Sequence, residues 1–393
     1  MRILCLTARL PYPPDRGDRL RAYHFFRHMA AEHELTLVSF IEKEAEREHV
    51  EALRPYFSQI HLVQQRRSQS ALRVASNIWR NVPLQTLYYR SPAMQQVVDS
   101  LLAKEPFDAA YVHLFRMAPY VADHTQLYRI VDLTDVISQE VVRSLPYRSP
   151  VWRLIYTIER PRIVQYERWV AQHFEETWLI SPADRAVLAA ACPAANIQVV
   201  PNGVDVETLH PLGGTAVPHR ILFVGHMGVF HNVDAARYLA QEILPGVQRQ
   251  IPDVTVQLVG ASPATAVRAL AEENTAVSVP GFVPDLNQAL NEAAVFVAPL
   301  RFAAGVQNKV LEAMAAARPV VTTSLVNKGL GAEAGRDLLV ADDVATAVAH
   351  IVDLLQNPTA AAQLGVAARR FVQAHYRWNF VQERLQTIAA TLT

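Results

Sequence analysis

The stretch "GVQNKVLEAMAAARPVV", residues 305–321, sets one ammonium, Lys309, and one carboxylate, Glu312, in a run that is otherwise almost uncharged. The chain has 37 basic side chains and only four lysines, so Lys309 departs from a strong habit of using arginine. A spacing of three puts Lys309 and Glu312 on one helix face. Gly305, Val306, Gln307 and Asn308 form the turn into that helix, whose first N–H groups lack partners within it. Such a helix start attracts anions, and a cation beside it neutralises a diphosphate. A carboxylate one turn further in is spaced to accept two hydrogen bonds from a ribose diol. The plain alternative is a solvated ion pair, but Val310, Leu311, Ala313 and Met314 make this helix too apolar to be fully solvated.

Other turns offer weaker signals. In "RLPYPPDRGDRLRAYHF", Gly17 precedes a helix with Asp18 as its expected N-cap. It is either a backbone approach to a phosphate or an ordinary turn. His113 ends the strand-like "YVHL" and reads either as a site residue or as a packed histidine. "PNGVD" (201–205) follows the strand-like "IQVV"; Asn202 there is a turn residue or a cleft residue. "PGFV" (280–283) follows a strand too, and backbone around Phe282 and Val283 could read a base edge. "DLTD" (132–135) is a poor metal-binding pair and reads better as a strand end and an N-cap. The two cysteines, Cys5 and Cys192, have no metal or disulfide spacing, so no metal and a reducing compartment are expected.

The elements that must hold these residues alternate between short apolar runs and helical patterns. Strands are expected at 2–8, 35–40, 60–63, 109–114, 128–133 and 177–181. The pattern then restarts at 220–225, 254–260, 276–279, 294–299, 319–323 and 337–341. Strands apolar on both faces and separated by helices argue for two parallel sheets wrapped by helices. The helical pattern at 18–31 puts Leu20, Tyr23, Phe26, Met29 and Ala30 on one face. "PLGGTAVPH" (211–219) breaks both periods and is the expected linker. The last helix is amphipathic through Trp378, Val381, Leu385 and Ile388. It reads either as a strap onto the first unit or as a cap on the second.

Composition limits the function. The chain is 393 residues long with zero formal net charge, which gives no electrostatic case for nucleic acid. No run approaches the roughly 18 apolar residues of a membrane span, and the N-terminus lacks a secretory apolar core; a cytoplasmic protein is expected. Residues 52–98 hold six arginines and no acid, and residues 143–168 hold six arginines against two glutamates. Aromatic residues are interleaved with both. These stretches suit an anionic membrane surface, peripheral to its inner face, or are ordinary solvated helix faces.

Taken in order, "VVPNGVD", "FVG" ending at Gly225, "PGFV" and "G-x-x-N-K-x-x-E-A-M-A…PVV" resemble the GT-B glycosyltransferases of family 4, the group 1 transferases. With the opening "PYPPDRGDRLRAYHF", they are similar to a subgroup from bacterial exopolysaccharide and protein-sorting gene clusters. The resemblance covers essentially the whole chain. It implies α/β GT-B architecture: two Rossmann-like doubly wound parallel-sheet domains facing a cleft. Residues 1–210 would bind the acceptor, with helix 376–393 packed back on them, and 211–375 the nucleotide-sugar donor. It implies a retaining, metal-independent transfer to a sugar or lipid-linked acceptor. Glu312 would bind the ribose hydroxyls, Gly305 to Asn308 would offer amides, His113 would lie near the transferred sugar and Gly17 near the phosphates. Asn202, Gly225, Phe282 and Val283 complete the expected donor site.

Two positions depart from the pattern. Ala304 stands where the first glutamate of the E-x7-E pair belongs. "VGHMGVFHN" carries His226 and Asn232 where phosphate-binding Arg and Lys are usual. Lys309 is then the expected source of the missing charge. A nucleotide-sugar epimerase of the same fold, or a non-catalytic nucleotide-sugar binder, is the competing expectation.

Overall fold

Strand β1 (Arg2–Thr7) shows how the sequence builds its first sheet. Ile3 and Cys5 face one side, Leu4 and Leu6 the other, and all four are fully buried. A strand buried on both faces belongs inside a parallel sheet covered by helices on both sides. The structure, a computed structural model, describes residues 1–14, 16–214, 216–302 and 306–392. They form two units, Met1–Pro201 with Trp378–Thr393, and Asn202–Arg377.

In the first unit β1 is joined by β2 (Glu34–Ile41), β3 (Gln59–Gln64), β4 (Ala109–His113), β5 (Tyr128–Thr134), β6 (Glu176–Leu179) and β7 (Ile197–Val199). All pair in parallel in the order β3-β2-β1-β4-β5-β6-β7. The six expected strands are present, and "IQVV" supplies the seventh. The last helix, Phe380–Leu392, lies on this unit. Trp378, Val381, Leu385 and Ile388 join the core around Ile3, Phe25 and Leu37, and Trp378 stacks on His24 with centroids 4.5 Å apart. Burial of such side chains contributes roughly 1.5–3 kcal/mol each.

The helix Gly17–Met29 differs from its expected form. Its N-cap is Arg16, not Asp18; the Asp18 carboxylate instead accepts from Arg9 Nη1 at 2.7 Å. The buried side chains are Arg21, Ala22, Phe25, Phe26 and Met29, so the helix is rotated from the face read off Leu20 and Tyr23. The cause is Arg21, which has a carboxylate waiting inside the unit. Likewise Asp135 caps nothing: Val136 is the N-cap of the next helix, Ile137–Ser144.

The second unit contains β8 (Arg220–Val224), β9 (Thr255–Val259), β10 (Val277–Gly281), β11 (Val295–Ala298), β12 (Val320–Thr322) and β13 (Leu339–Val340). They too are parallel, in the order β10-β9-β8-β11-β12-β13. The chain passes into this unit between Pro201 and Asn202, ahead of the 211–219 stretch. Val204 N–H donates to Tyr376 O at 2.9 Å, which ties the segment to the second unit.

Candidate functional site

Doubly wound sheets bind ligands beyond the carboxyl ends of the strands, where the strand order reverses. In the second unit that point lies between β8 and β11. Two loops leave it: residues 225–229 after β8, and the loop that leads from β11 into the helix Asn308–Ala315.

Lys309 joins these loops. Its Nζ donates to Asn232 Oδ1 at 2.7 Å and to Gln307 Oε1 at 3.1 Å, and lies 5.7 Å from the centroid of the Phe223 ring. Asn232 Nδ2 in turn donates to His226 O at 3.1 Å. Gly225 makes room for this amide: a Cβ there would lie 2.9 Å from Asn232 Cγ. Gly260 has φ +149°, and a Cβ on it would fall 1.7 Å from Gly225 O, so only glycine lets the ends of β8 and β9 approach so closely. Asn202 Nδ2 donates to Asn308 Oδ1 at 2.7 Å, which fixes "PNGVD" against the helix start. Val310 N–H donates to Gln307 O, and the N–H groups of Asn308 and Lys309 stand in the first turn.

Glu312 sits one turn in, half-buried, and its carboxylate makes no hydrogen bond or ion pair among the described residues. Burial pushes its carboxyl up to about 7, with Lys309 opposing. Burial pushes Lys309 down to about 8, with Glu312 opposing. The ammonium is thus held by neutral amide oxygens, with no carboxylate hydrogen-bonded to it among the described residues. Val306 and Gln307 are buried at the helix start. Gly305 and Ala304 lie outside the described residues. Phe282 is exposed and Val283 half-buried just past β10, the outer strand, with β9 between them and β8.

The first unit reverses its strand order between β1 and β4, and His113 ends β4. Beneath it lies a buried ion pair. Arg21 donates from Nε to Asp132 Oδ2 at 2.7 Å and from Nη2 to Oδ1 at 3.0 Å. Tyr111 Oη adds a donor at 2.5 Å and Thr134 N–H another at 3.2 Å. Burial alone would raise the Asp132 carboxyl, but Arg21 and His113 hold it well below the usual range. His113 Nδ1 lies 3.6 Å from Asp132 Oδ2, while its buried Nε2 has no partner among the described residues. An Nδ1 proton facing the carboxylate would leave Nε2 as an acceptor.

His113 lines a small, partly open pocket with Ala8, Arg9, Asp18, Arg19, Ala22 and Leu114, whose volume of about 10 Å³ is room for roughly one water molecule. Burial opposes ionisation of Asp18, yet Arg9 and Arg16 hold its carboxyl down at about 2. Gly17 is exposed, and a Cβ there would meet nothing within 4 Å. Its fold does not require glycine. Sequence reasoning missed Arg21, Asp132 and Tyr111 as a unit; the one signal was an arginine four residues before Phe25 in an apolar helix.

Residues 218–357 match the family described as glycosyl transferases group 1. They form a group 1 glycosyl transferase domain. That domain contains Gly225, Asn232, Phe282, Val283, Lys309 and Glu312; Gly17, His113 and Asn202 lie outside the match. The chain is 25% identical over 167 residues to an uncharacterized 44.6 kDa protein in the cps region of Klebsiella pneumoniae, covering 40% of this chain and 42% of that protein. The alignment thus spans less than half of the relative.

The fold of the whole chain is of the GT-B class. Sucrose-phosphate synthase from Thermosynechococcus elongatus matches with a TM-score of 0.75 at 16% identity, over 100% of this chain and 99% of that one. HepE from Anabaena, solved with UDP and glucose, matches at 0.69 and 16% identity over 99% of each chain. TarM from S. aureus, solved with UDP, fondaparinux and alpha-GlcNAc-glycerol, matches at 0.72 and 12% identity over 98% of this chain and 99% of that one.

Proposed function

We propose that the chain is a retaining, metal-independent glycosyltransferase acting in bacterial polysaccharide or glycoconjugate synthesis. It moves a sugar from a nucleotide diphosphate sugar to an acceptor hydroxyl. The observation that carries this reading is the buried ammonium of Lys309, held by neutral amides at a helix start, with Glu312 one turn away. The Klebsiella relative from a cps region supports the polysaccharide setting. HepE and TarM, both solved with UDP, support a nucleotide donor.

The chemistry follows from charge. Departure of a nucleoside diphosphate builds negative charge on its outer phosphate. Lys309 and the first-turn N–H groups stabilise that charge more in the transition state than in the bound donor, which lowers the barrier. Ionised Glu312 accepts from the two ribose hydroxyls and fixes the nucleoside. Asn232 and Gln307 aim the ammonium, and Asn202 steadies the helix start through Asn308. By the family resemblance, His113 of the first unit is the residue proposed for the transferred sugar, with its buried Nε2 as the accepting atom. Retention follows the family resemblance, in which the acceptor attacks from the leaving-group face.

A thermal-shift panel of UDP, GDP, ADP and their sugars identifies the donor, and labelled donor with an acceptor panel then tests transfer. The expected result is one preferred base and an acceptor-dependent product. Sugar isomerised without acceptor would instead make the chain an epimerase. Binding with no turnover across acceptors would make it a non-catalytic binder, with Ala304 the first suspect.

A further inference from the structure

Exposed apolar side chains are normal when scattered; concentrated ones mark a contact surface. Of the thirteen exposed large apolar side chains among the described residues, eight lie in two short segments, 72–79 and 147–158. The six most relevant are Leu72, Trp79, Val151, Trp152, Leu154 and Ile158, which are 49% to 73% exposed.

The fold leaves both segments uncovered. In the helix Arg67–Asn77 the only buried side chain is Ser70. In the helix Pro150–His173 burial begins at Glu159, so residues 150–158 extend past the packed part. Val151, Leu154 and Ile158 recur at three and four residues and share one face. Hydrogen bonds join the two segments into one surface: Arg162 Nη2 donates to Ile78 O at 2.8 Å, and Leu84 N–H donates to Glu159 Oε2 at 2.7 Å.

Charge then selects the occupant. The flanking stretches 52–98 and 143–168 each carry six arginines, and their only acids are Glu159 and Glu167. Both glutamates are buried, Glu159 on Arg162 and Leu84, Glu167 on Ser138. Arg66, Arg80 and Arg160 are exposed and pair with no carboxylate among the described residues. Tryptophans and aliphatic side chains interleaved with arginines, with no acid presented, match an anionic bilayer surface. The rings enter the headgroup region while the guanidinium groups stay at phosphate level.

We propose that this face of the first unit docks on an anionic lipid bilayer, with Trp79 and Trp152 inserted and Arg66, Arg80 and Arg160 on the lipid phosphates. The docking is peripheral: no helix among the described residues is long and apolar enough to cross a membrane. It rests on a surface separate from Lys309 and Glu312, so it stands or falls apart from the transfer reaction.

The test is co-sedimentation of the full chain with phosphatidylcholine vesicles, with and without phosphatidylglycerol. The protein is expected to sediment with the anionic vesicles and to stay in solution with phosphatidylcholine alone. The combined variant R66Q, R80Q and R160Q should partition roughly a hundredfold less, about fivefold per arginine. The double variant W79A and W152A should lose about tenfold or more. These side chains are exposed, so circular dichroism should match the parent. Wild-type protein left in the supernatant with anionic vesicles would overturn the proposal, as would variants that sediment like the parent. So would a lipid-free oligomer that the tryptophan variant converts to monomer, because the face would then be a contact between copies of the chain.

Discussion

The two sheets solve the same topology with opposite electrostatics. Where the first sheet reverses its strand order, Arg21 is buried against Asp132, whose carboxylate also accepts from Tyr111 and Thr134. Where the second reverses, Lys309 is buried with amide oxygens alone as its side-chain hydrogen-bond acceptors among the described residues. A buried charge that is matched serves the fold. A buried charge left on neutral dipoles carries a desolvation cost that an incoming anion can offset. The contrast sets a matched ion pair beneath His113 against the unmatched ammonium of Lys309, for which we propose a binding role.

Breaking the matched pair should give the largest effect. Asp132→Ala leaves Arg21 as an uncompensated buried charge and should cost about 3–5 kcal/mol of stability. Urea denaturation measures this, and Arg21→Met combined with Asp132→Leu should regain most of the loss. A small cost for Asp132→Ala alone would erase the distinction between the two sheets. At the second site, Glu312→Ala should leave the fold nearly intact while weakening a nucleoside by about 2–3 kcal/mol, as expected for lost charge-assisted hydrogen bonds. Calorimetry with the nucleoside checks it; unchanged affinity removes Glu312 from the site.

The pH dependence sharpens the comparison with a smaller effect. Below about 7 the Glu312 carboxyl protonates and stops being a charged acceptor for ribose. Above about 8 Lys309 loses its proton and its hold on the diphosphate. Affinity for a nucleoside diphosphate should therefore peak between about 7 and about 8 and fall on both sides. Stability of the free protein runs the other way. Glu312 titrates above its unfolded value, so its contribution declines as pH rises to about 7. Lys309 titrates below its unfolded value, so its contribution recovers only as pH rises beyond about 8. A flat affinity profile would contradict the paired role.

Much of this was legible in the sequence. Strands buried on both faces leave long apolar runs, so both sheets could be read, and Lys309 stood out because its neighbours are apolar. The rotation of the helix Gly17–Met29 was hidden. A buried arginine looks polar until its carboxylate is known, and Asp132 lies 111 residues away. The link from Lys309 to Asn232 was hidden for the same reason, since 77 residues separate them. Gly17 does start the helix, and its backbone is one that any residue adopts, so the conformation itself adds no signal for or against a ligand there. The exposed face at 72–79 and 147–158 was half legible, as arginines with interleaved aromatic residues; what only burial reveals is that Leu72, Val151, Leu154 and Ile158 are exposed beside them.

The most direct test compares Lys309→Met with the parent, titrating each by calorimetry with the preferred nucleoside and with its diphosphate. The account predicts a loss of roughly tenfold to a hundredfold for the diphosphate, the range of a charge-assisted contact, and little change for the nucleoside. Equal losses for both ligands, or none for either, would show that the ammonium serves the fold and not the phosphates.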